Sequence, residues 1–281
     1  MTPDEMAFLA EVVRQRSGLI LSADKSYLVD SRLGPVARKE AFASIEALVQ
    51  AMRTKRDDRL MWLVTDALTT NETFFFRDKT PFEQFRDDVL PALAPARPAG
   101  TLRVWSAACS TGQEPYSIAM LMEDLRGRYP GLKLDICASD ISDRVLEKAQ
   151  AGIYTQFEVQ RGLPITHLIK YFDKAEDTWL VKPNLKQTIR WKRFNLLEDM
   201  RGVGRFDVVF CRNVLLYFDL ETKKRVLENI AANMADDGFL FLGAAETLLG
   251  ITDAFQAAPG KRGLYARNPG FRPEFRKAAV A

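Results

Sequence analysis

Histidine is nearly absent from this chain, which has one, His167, in 281 residues. It stands at the expected start of a helix, far along the sequence from the other polar motifs. A serine or cysteine hydrolase needs a general base beside its nucleophile, and catalytic zinc usually takes imidazole ligands. The scarcity of histidine therefore argues against both classes, and we expect no metal site.

Cysteine is also scarce, and the three residues lie far apart, at Cys109, Cys137 and Cys211. Each stands in or beside an apolar run that is typical of a strand. An odd number at such spacing indicates neither a disulfide framework nor a metal knuckle. We expect three core thiols.

Long apolar runs are missing too, since no stretch reaches the roughly 18 to 20 residues that a membrane helix needs. The first residues, Met-Thr-Pro-Asp-Glu, lack the basic region and apolar core of a secretion signal. A net charge of +3 is too small an excess to favour nucleic acid, and no nucleic-acid-binding motif occurs. We expect a cytoplasmic monomer that neither inserts into a membrane nor binds nucleic acid.

Apolar spacing of three and four residues predicts an N-terminal all-α bundle over residues 1–70. Ser22 and Asp24 suit the start of its second helix, and Gly34-Pro35 should kink or shorten that helix. Residues 71–100 form the expected connection, with a helix over Pro81 to Leu93 followed by a proline-rich linker.

Strand-like runs alternate with helical patterns over residues 101–267, which predicts an α/β domain with a mostly parallel sheet. Residues 152–186 are too long for a simple crossover and indicate an inserted subdomain of short helix and small strands. We expect residues 268–281 to form a flexible tail. The expected strands are Arg103 to Ala108, Leu134 to Ser139, Thr188 to Phe194, Phe206 to Cys211 and Gly238 to Leu242, with a terminal antiparallel hairpin around Phe255 and Leu264 to Ala266.

The first of these strands leads into a tight turn and a helix, Ser110-Thr111-Gly112-Gln113-Glu114-Pro115. In an open α/β sheet this turn lies where nucleotide-like ligands bind. A dinucleotide needs Gly-x-Gly-x-x-Gly at its phosphates, but only Gly112 is present, and Glu114 stands where a phosphate would lie. A carboxylate there favours a cationic adenosine cofactor, S-adenosylmethionine (SAM). The alternative is an acid favoured by the helix dipole, with Pro115 as the first helical residue.

Polar side chains follow the later strands, at the carboxyl edge where active sites of open sheets gather. Asp140 ends the second strand, where an acid commonly binds ribose hydroxyls, although it could equally cap the next helix. Asn195 follows the third strand, and Arg212, Asn213 and Tyr217 follow the fourth. Structural hydrogen bonding is the alternative role for these residues.

A second polar group surrounds the run Phe74-Phe75-Phe76, which by itself is more typical of packing than of a site. Asn71, Thr73 and Arg77 flank the run with groups whose burial would be costly without a polar partner. These residues are therefore further candidates.

Four stretches resemble, in order along nearly the whole chain, the motifs of the CheR family. They read TTNETFFFR (69–77), VWSAACSTGQEPYS (104–117), ASDI (138–141) and FCRNVLLYF (210–218). The family comprises SAM-dependent protein-glutamate O-methyltransferases of bacterial chemotaxis. The resemblance implies a Rossmann-like methyltransferase sheet behind an all-α domain. It also implies glutamate methyl esters on chemoreceptor helices, with S-adenosylhomocysteine as the other product.

The resemblance also implies residue roles. Arg77 and Tyr217 would face the transferred methyl group, and the basic residues Arg32, Arg38 and Lys39 would dock the receptor. A glutamate carboxylate is already ionised near neutral pH, so its attack on a sulfonium methyl needs no general base. The implied cofactor-lining residues are Asn71, Thr73, Arg77, Glu114, Asp140, Asn195, Leu196, Arg212 and Asn213.

Two features depart from the family pattern. Gly34-Pro35 interrupts a docking helix that is usually more uniformly basic. The segment Asp173 to Thr178 is short and has no glycine, whereas members that bind a receptor C-terminal pentapeptide tend to have a glycine-bearing loop there. We therefore predict independence from such a tether.

Other functions remain open at this point. One is a SAM-binding regulatory or scaffold protein without transfer activity, which would need neither Arg77 nor Tyr217. Another is a methyltransferase for a small molecule or a different protein, and a small-molecule enzyme would have little use for the N-terminal bundle.

Overall fold

The computed structural model describes residues 1–21, 26–97 and 100–272. The chain forms two compact units, the first of Met1–Asn71 with Tyr217–Thr222 and the second of Glu72–Leu216 with Lys223–Ala281. The first unit thus includes a short segment, Tyr217–Thr222, from the region that the sequence pattern assigns to the α/β domain.

The described residues of the stretch Met1–Asn71 form the helices α1 (Pro3–Ser17), α2 (Ser26–Lys39), α3 (Ile45–Lys55) and α4 (Asp58–Leu68). Their apolar faces form one buried core, as the periodicity predicts. Helix α2 continues through Pro35 to Lys39, so the predicted shortening did not occur. The proposed helix start at Ser22 and Asp24 lies outside the described residues.

The remaining elements alternate along the second part of the chain. The strands are β1 (Thr101–Ala107), β2 (Lys133–Asp140), β3 (Ile153–Thr155), β4 (Phe172–Ala175), β5 (Thr178–Val181), β6 (Ile189–Arg193), β7 (Phe206–Cys211), β8 (Met234–Phe241), β9 (Phe255–Ala257) and β10 (Leu264–Arg267). The helices are α5 (Thr80–Gln84), α6 (Leu90–Leu93), α7 (Gln113–Asp124), α8 (Asp143–Ala151), α9 (Gln156–Gln160), α10 (Ile165–Tyr171), α11 (Pro183–Lys186) and α12 (Leu220–Ala232).

The main sheet has seven strands in the order β6-β2-β1-β7-β8-β10-β9. The first five are mutually parallel, and β10 runs antiparallel to both of its neighbours. This is the predicted Rossmann-like sheet with a terminal hairpin. Because β1 and β7 are adjacent and parallel, the loops after them meet at one edge.

A second, smaller sheet forms within the predicted insertion, with the strand order β3-β5-β4 and antiparallel pairing. Helices α9 and α10 connect β3 to β4, and α11 follows β5. The prediction of small strands is confirmed here, and the insertion holds more helix than the sequence pattern indicated.

The helix predicted over Pro81 to Leu93 is present, but a π-helical turn at Phe85–Val89 separates α5 from α6. The Leu90 amide donates to the Phe85 carbonyl, five residues earlier. Pro91 has no N–H and would clash with the carbonyl four residues before it in a regular helix. The wider turn before Pro91 accommodates the proline ring.

The core of the second unit includes all three cysteines, which are buried and unpaired, as predicted. Burial raises the pKa of the Cys109 and Cys211 thiols well above the usual range. The rings of Phe210 and Phe241 stack in the same core with centroids 4.5 Å apart. Among the described helices, none combines the length and apolar character needed to cross a lipid bilayer.

Candidate active site

The turn after β1 is tightly packed around Gly112. Gly112 caps α7 with φ of 93°, a left-handed conformation that favours glycine. A Cβ at this position would lie 2.9 Å from the Ala149 Cβ and 3.0 Å from the Trp191 ring. Pro115 is the third residue of α7 rather than the expected first, a position where its missing N–H is not needed by the helix.

Glu114 directs its carboxylate toward the carboxyl edge of the sheet. Its Oε1 accepts a hydrogen bond from Ser106 Oγ (2.7 Å), and its Oε2 accepts one from Arg212 Nη1 (2.9 Å). The helix dipole also stabilises an acid in this first turn, so the two interpretations are compatible.

Arg212 joins Glu114 to the loop that carries Arg77. Its side chain is 2% exposed, and Nη2 donates to the Arg77 carbonyl (2.8 Å) and to Asp78 Oδ2 (2.7 Å). Asp78 and Glu114 carry two formal negative charges and Arg212 carries one positive charge, so the cluster has a formal charge of −1. We call Asp78, Glu114 and Arg212 the Arg212 cluster.

One donor of this cluster stays unused. Arg212 Nε is buried and has no hydrogen-bond partner among the described residues. A buried guanidinium N–H without an acceptor is costly, and a ligand carboxylate is a group that would satisfy it. The excess negative charge of the same cluster suits a ligand ammonium.

Asp140 accepts backbone hydrogen bonds from Ser110 N (2.8 Å) and Ser142 N (3.0 Å) and is 5% exposed. Ser142, not Asp140, caps α8, since its Oγ accepts from Val145 N. The capping alternative for Asp140 is therefore wrong. These two contacts fix the orientation of the carboxylate next to the turn after β1.

Asn195 and Leu196 are brought beside Asp140 by the end of β6. The Phe194 amide donates to the Asp140 carbonyl (2.9 Å), and both following side chains are buried. Asn195 Oδ1 accepts from the Leu197 amide (3.1 Å).

Asn213 is held by a residue that the sequence reasoning missed. The Glu246 carboxylate accepts from four backbone amides, those of Asn213 (2.8 Å), Val214 (3.0 Å), Leu216 (3.3 Å) and Gly243 (2.7 Å). Asn213 has φ of 59°, so the loop after β7 needs this support. Glu246 follows β8 at the same edge, a position that could have signalled it.

Arg77 lies in a loop with an unusual backbone, since Phe76, Asp78 and Lys79 all have positive φ. Its Nη1 donates to the Glu72 carbonyl (2.8 Å), and its guanidinium carbon lies 5.7 Å from the centre of the Phe74 ring. Such strained segments often occur at functional sites. Thr73 lies in the same stretch.

His167 lies closer to this loop than its place in the sequence indicates. Its ring packs against Phe76 with centroids 5.2 Å apart, and Nε2 is 2.8 Å from Asp124 Oδ2. Asp124 also accepts from Lys170 and Tyr171, and although its burial opposes ionisation, these hydrogen bonds lower its pKa. The contacts give His167 a structural role.

Two of the candidates for the catalytic and cofactor site belong to the first unit. Tyr217 packs against the bundle core, and its carbonyl accepts from the Ile20 amide (2.9 Å). Asn71 Oδ1 lies 3.5 Å from Thr69 Oγ1.

The three docking candidates differ in their surroundings. Arg32 Nη1 donates to the carbonyls of Leu68 (2.7 Å) and Thr69 (3.0 Å), so its guanidinium caps the end of α4. Arg38 and Lys39 end α2 and are exposed.

The sheet order, the tight turn after β1 and the acid at the end of β2 define a Rossmann-like methyltransferase. Residues 71–264 match the model described as "CheR methyltransferase, SAM binding domain", and residues 4–69 match "CheR methyltransferase, all-alpha domain".

Relatives cover most of the chain. It is 41% identical over 243 residues to "Chemotaxis protein methyltransferase Cher2" of Pseudomonas putida, spanning 85% of this chain and 88% of that protein. It is also 41% identical over 254 residues to "Chemotaxis protein methyltransferase 1" of Pseudomonas aeruginosa, spanning 89% and 92%. A Borreliella burgdorferi "Chemotaxis protein methyltransferase" is 31% identical over 256 residues, spanning 89% and 90%.

The chain therefore belongs to the CheR methyltransferase family. It is a SAM-dependent methyltransferase of chemotaxis, and SAM is its cofactor. The predicted family, fold and cofactor are confirmed.

Proposed function

We propose that this enzyme methylates glutamate side chains on the cytoplasmic helices of chemoreceptors. The observation that carries the proposal is the Arg212 cluster, which links Glu114 in the cofactor turn to the backbone of Arg77. The chemoreceptor substrate follows from the chemotaxis relatives, and the glutamate acceptor from the chemistry below. A receptor substrate of this kind also places the enzyme in the cytoplasm.

The side chains suit each part of the cofactor. Asp140 would bind the ribose hydroxyls, and Glu114 would face the ammonium group. Arg212 Nε and Asn213 would bind the carboxylate end. Asn71, Thr73, Asn195 and Leu196 would complete the lining.

The reaction needs positioning more than proton transfer. When bound, SAM would supply a methyl group activated by its sulfonium. The glutamate oxygen would bond to this carbon as the carbon–sulfur bond breaks, and its electron pair would leave with S-adenosylhomocysteine. The acceptor has a reference pKa of about 4.3, so it is an anion at neutral pH and has no proton to lose. Holding the two reacting groups in near-attack geometry contributes about 7–11 kcal/mol.

Arg77 and Tyr217 are the residues we assign to the acceptor. The Arg77 guanidinium would orient the incoming carboxylate through a charge-assisted hydrogen bond, and the Tyr217 hydroxyl would bind the second oxygen. Arg38 and Lys39 would dock the receptor helix.

Arg77→Ala is expected to lower kcat about 100-fold, because the acceptor loses its charged orienting partner. SAM affinity, measured by isothermal titration calorimetry, should change by less than about fivefold, since the other cofactor contacts stay. Arg86→Ala is the matched control, because the Arg86 side chain is 42% exposed and pairs with Asp87. Unchanged turnover in Arg77→Ala, with unchanged cofactor binding, would refute this assignment.

We also propose that no receptor C-terminal pentapeptide is needed. The residues between β4 and β5 are Glu176 and Asp177, so the connection is short and lacks glycine. A fluorescent pentapeptide should show no binding in the low-micromolar range, and removing it from the receptor should leave kcat/KM unchanged. Low-micromolar binding would overturn the proposal.

A further inference from the structure

Arg161 lies between α9 and α10 in the inserted subdomain and contacts the loop that carries Arg77. Its Nη2 forms an ion pair with Glu72 Oε1, which lowers the pKa of that carboxyl. Its guanidinium carbon also lies 4.7 Å from the centre of the Phe74 ring. Arg161 therefore contacts two residues of the loop at once.

The same two residues are the contacts of Arg77. Arg77 Nη1 donates to the Glu72 carbonyl, and its guanidinium lies against the Phe74 ring. Arg161 thus contacts the Glu72 carboxylate and the Phe74 ring, and Arg77 contacts the Glu72 carbonyl and the same ring. Any movement of Glu72 and Phe74 will move Arg77.

Gly162 reinforces this contact through the backbone. Its φ is +83°, and a Cβ there would lie 2.0 Å from the Phe75 carbonyl oxygen and 3.0 Å from Phe74 Cδ2. No L-residue with a side chain fits without displacing the Phe74–Phe75 backbone. The backbones of the inserted subdomain and the Arg77 loop therefore lie in direct contact, with no room between them for a side chain at residue 162.

We propose that Arg161 and Gly162 are positioning residues that set the place of Arg77. This inference rests on the proposed role of Arg77. The ion pair is about half exposed, and such pairs contribute little to stability. The consequence of losing it should therefore appear in the mobility of the loop and in kcat rather than in Tm.

The first test is amide hydrogen exchange of residues 72–79 in the full-length enzyme without cofactor. Arg161→Ala should speed exchange there at least threefold and leave α7 unchanged. Arg161→Lys retains the charge for Glu72 and Phe74 and should restore most of the protection. Arg190→Ala is the matched control, because it breaks a similarly exposed ion pair with Asp135.

Kinetics supply the second readout. Arg161→Ala should lower kcat about tenfold with KM for SAM within twofold, and Arg161→Lys should recover most of kcat. Gly162→Ala should have the same effect or a larger one. Gly260→Ala is its control, because Gly260 has φ of +71° but no described atom within 4 Å of an added Cβ.

Faster exchange together with a lower kcat, both rescued by lysine, supports the proposal. Unchanged exchange in Arg161→Ala overturns it, and so does faster exchange with unchanged kcat. If the wild-type enzyme methylates no receptor glutamate, the proposed function fails, and the exchange data still decide whether Arg161 holds the loop.

Discussion

Replacing Arg212 with alanine should lower the free energy of unfolding by about 3–5 kcal/mol and abolish measurable SAM binding. The reason is that Arg212 is 2% exposed and pairs with Glu114, which is itself only 12% exposed. Without the guanidinium, a largely buried carboxylate loses its counter-charge and the Arg77 carbonyl loses its donor. Urea denaturation and calorimetric titration with SAM measure the two effects separately.

Arg97→Ala is the control that separates a loss of folding stability from a loss of SAM binding. Arg97 is also largely buried, at 14% exposed, and pairs with Asp207 (2.7 Å) and Asp237 (2.8 Å). Its loss should destabilise the fold but leave the SAM affinity of the folded protein unchanged. Arg212→Lys keeps a charge yet cannot reach three acceptors, so it should bind SAM weakly. Wild-type SAM affinity in Arg212→Ala would contradict the role given to the Arg212 cluster.

Replacing Glu246 with glutamine should lower the free energy of unfolding by about 2–4 kcal/mol and weaken SAM binding at least tenfold. The carboxylate accepts from four backbone amides, two on each oxygen. Glutamine turns one of those oxygens into an NH₂ group, which then faces N–H donors. The loop after β7 would shift, and Asn213 with it.

Thermal denaturation and SAM titration again give the two readouts. Glu228→Gln is the matched control, since that carboxylate accepts only a 3.2 Å contact from Thr252 and a distant Lys224 contact (3.9 Å). The control should change the unfolding free energy by less than about 0.5 kcal/mol. A Glu246→Gln protein as stable as the control would show that the four amides have other partners.

The fold was predictable where local signals dominate. The strand at Phe206–Cys211 was placed without error, because five of its six residues are apolar and all six are buried. The strand β8 begins at Met234, four residues before its predicted start at Gly238, because the acidic pair Asp236 and Asp237 is untypical of a strand. The pairing with β7 shifts register between Phe206 and Val208, which accommodates those residues in the sheet. That accommodation depends on the partner strand and is not encoded locally.

The candidate site was predictable where a polar residue directly follows a parallel strand. Arg212 and Asp140 were proposed in that way, and Arg212 contacts Glu114 at the shared edge. Glu246 and Arg161 were missed, since they act on residues 33 and 89 positions away. Contacts at such separations depend on tertiary structure, and the position of Glu246 shortly after β8 does not show which backbone amides it binds.

The proposed reaction is tested most directly by locating the transferred methyl group on a receptor. A chemoreceptor cytoplasmic fragment would be incubated with this enzyme and isotopically labelled SAM, digested and mapped by tandem mass spectrometry. The account predicts label on glutamate side chains, lost as methanol after mild base because the product is an ester. Base-stable label, or label on another residue type or only on a small molecule, would contradict it.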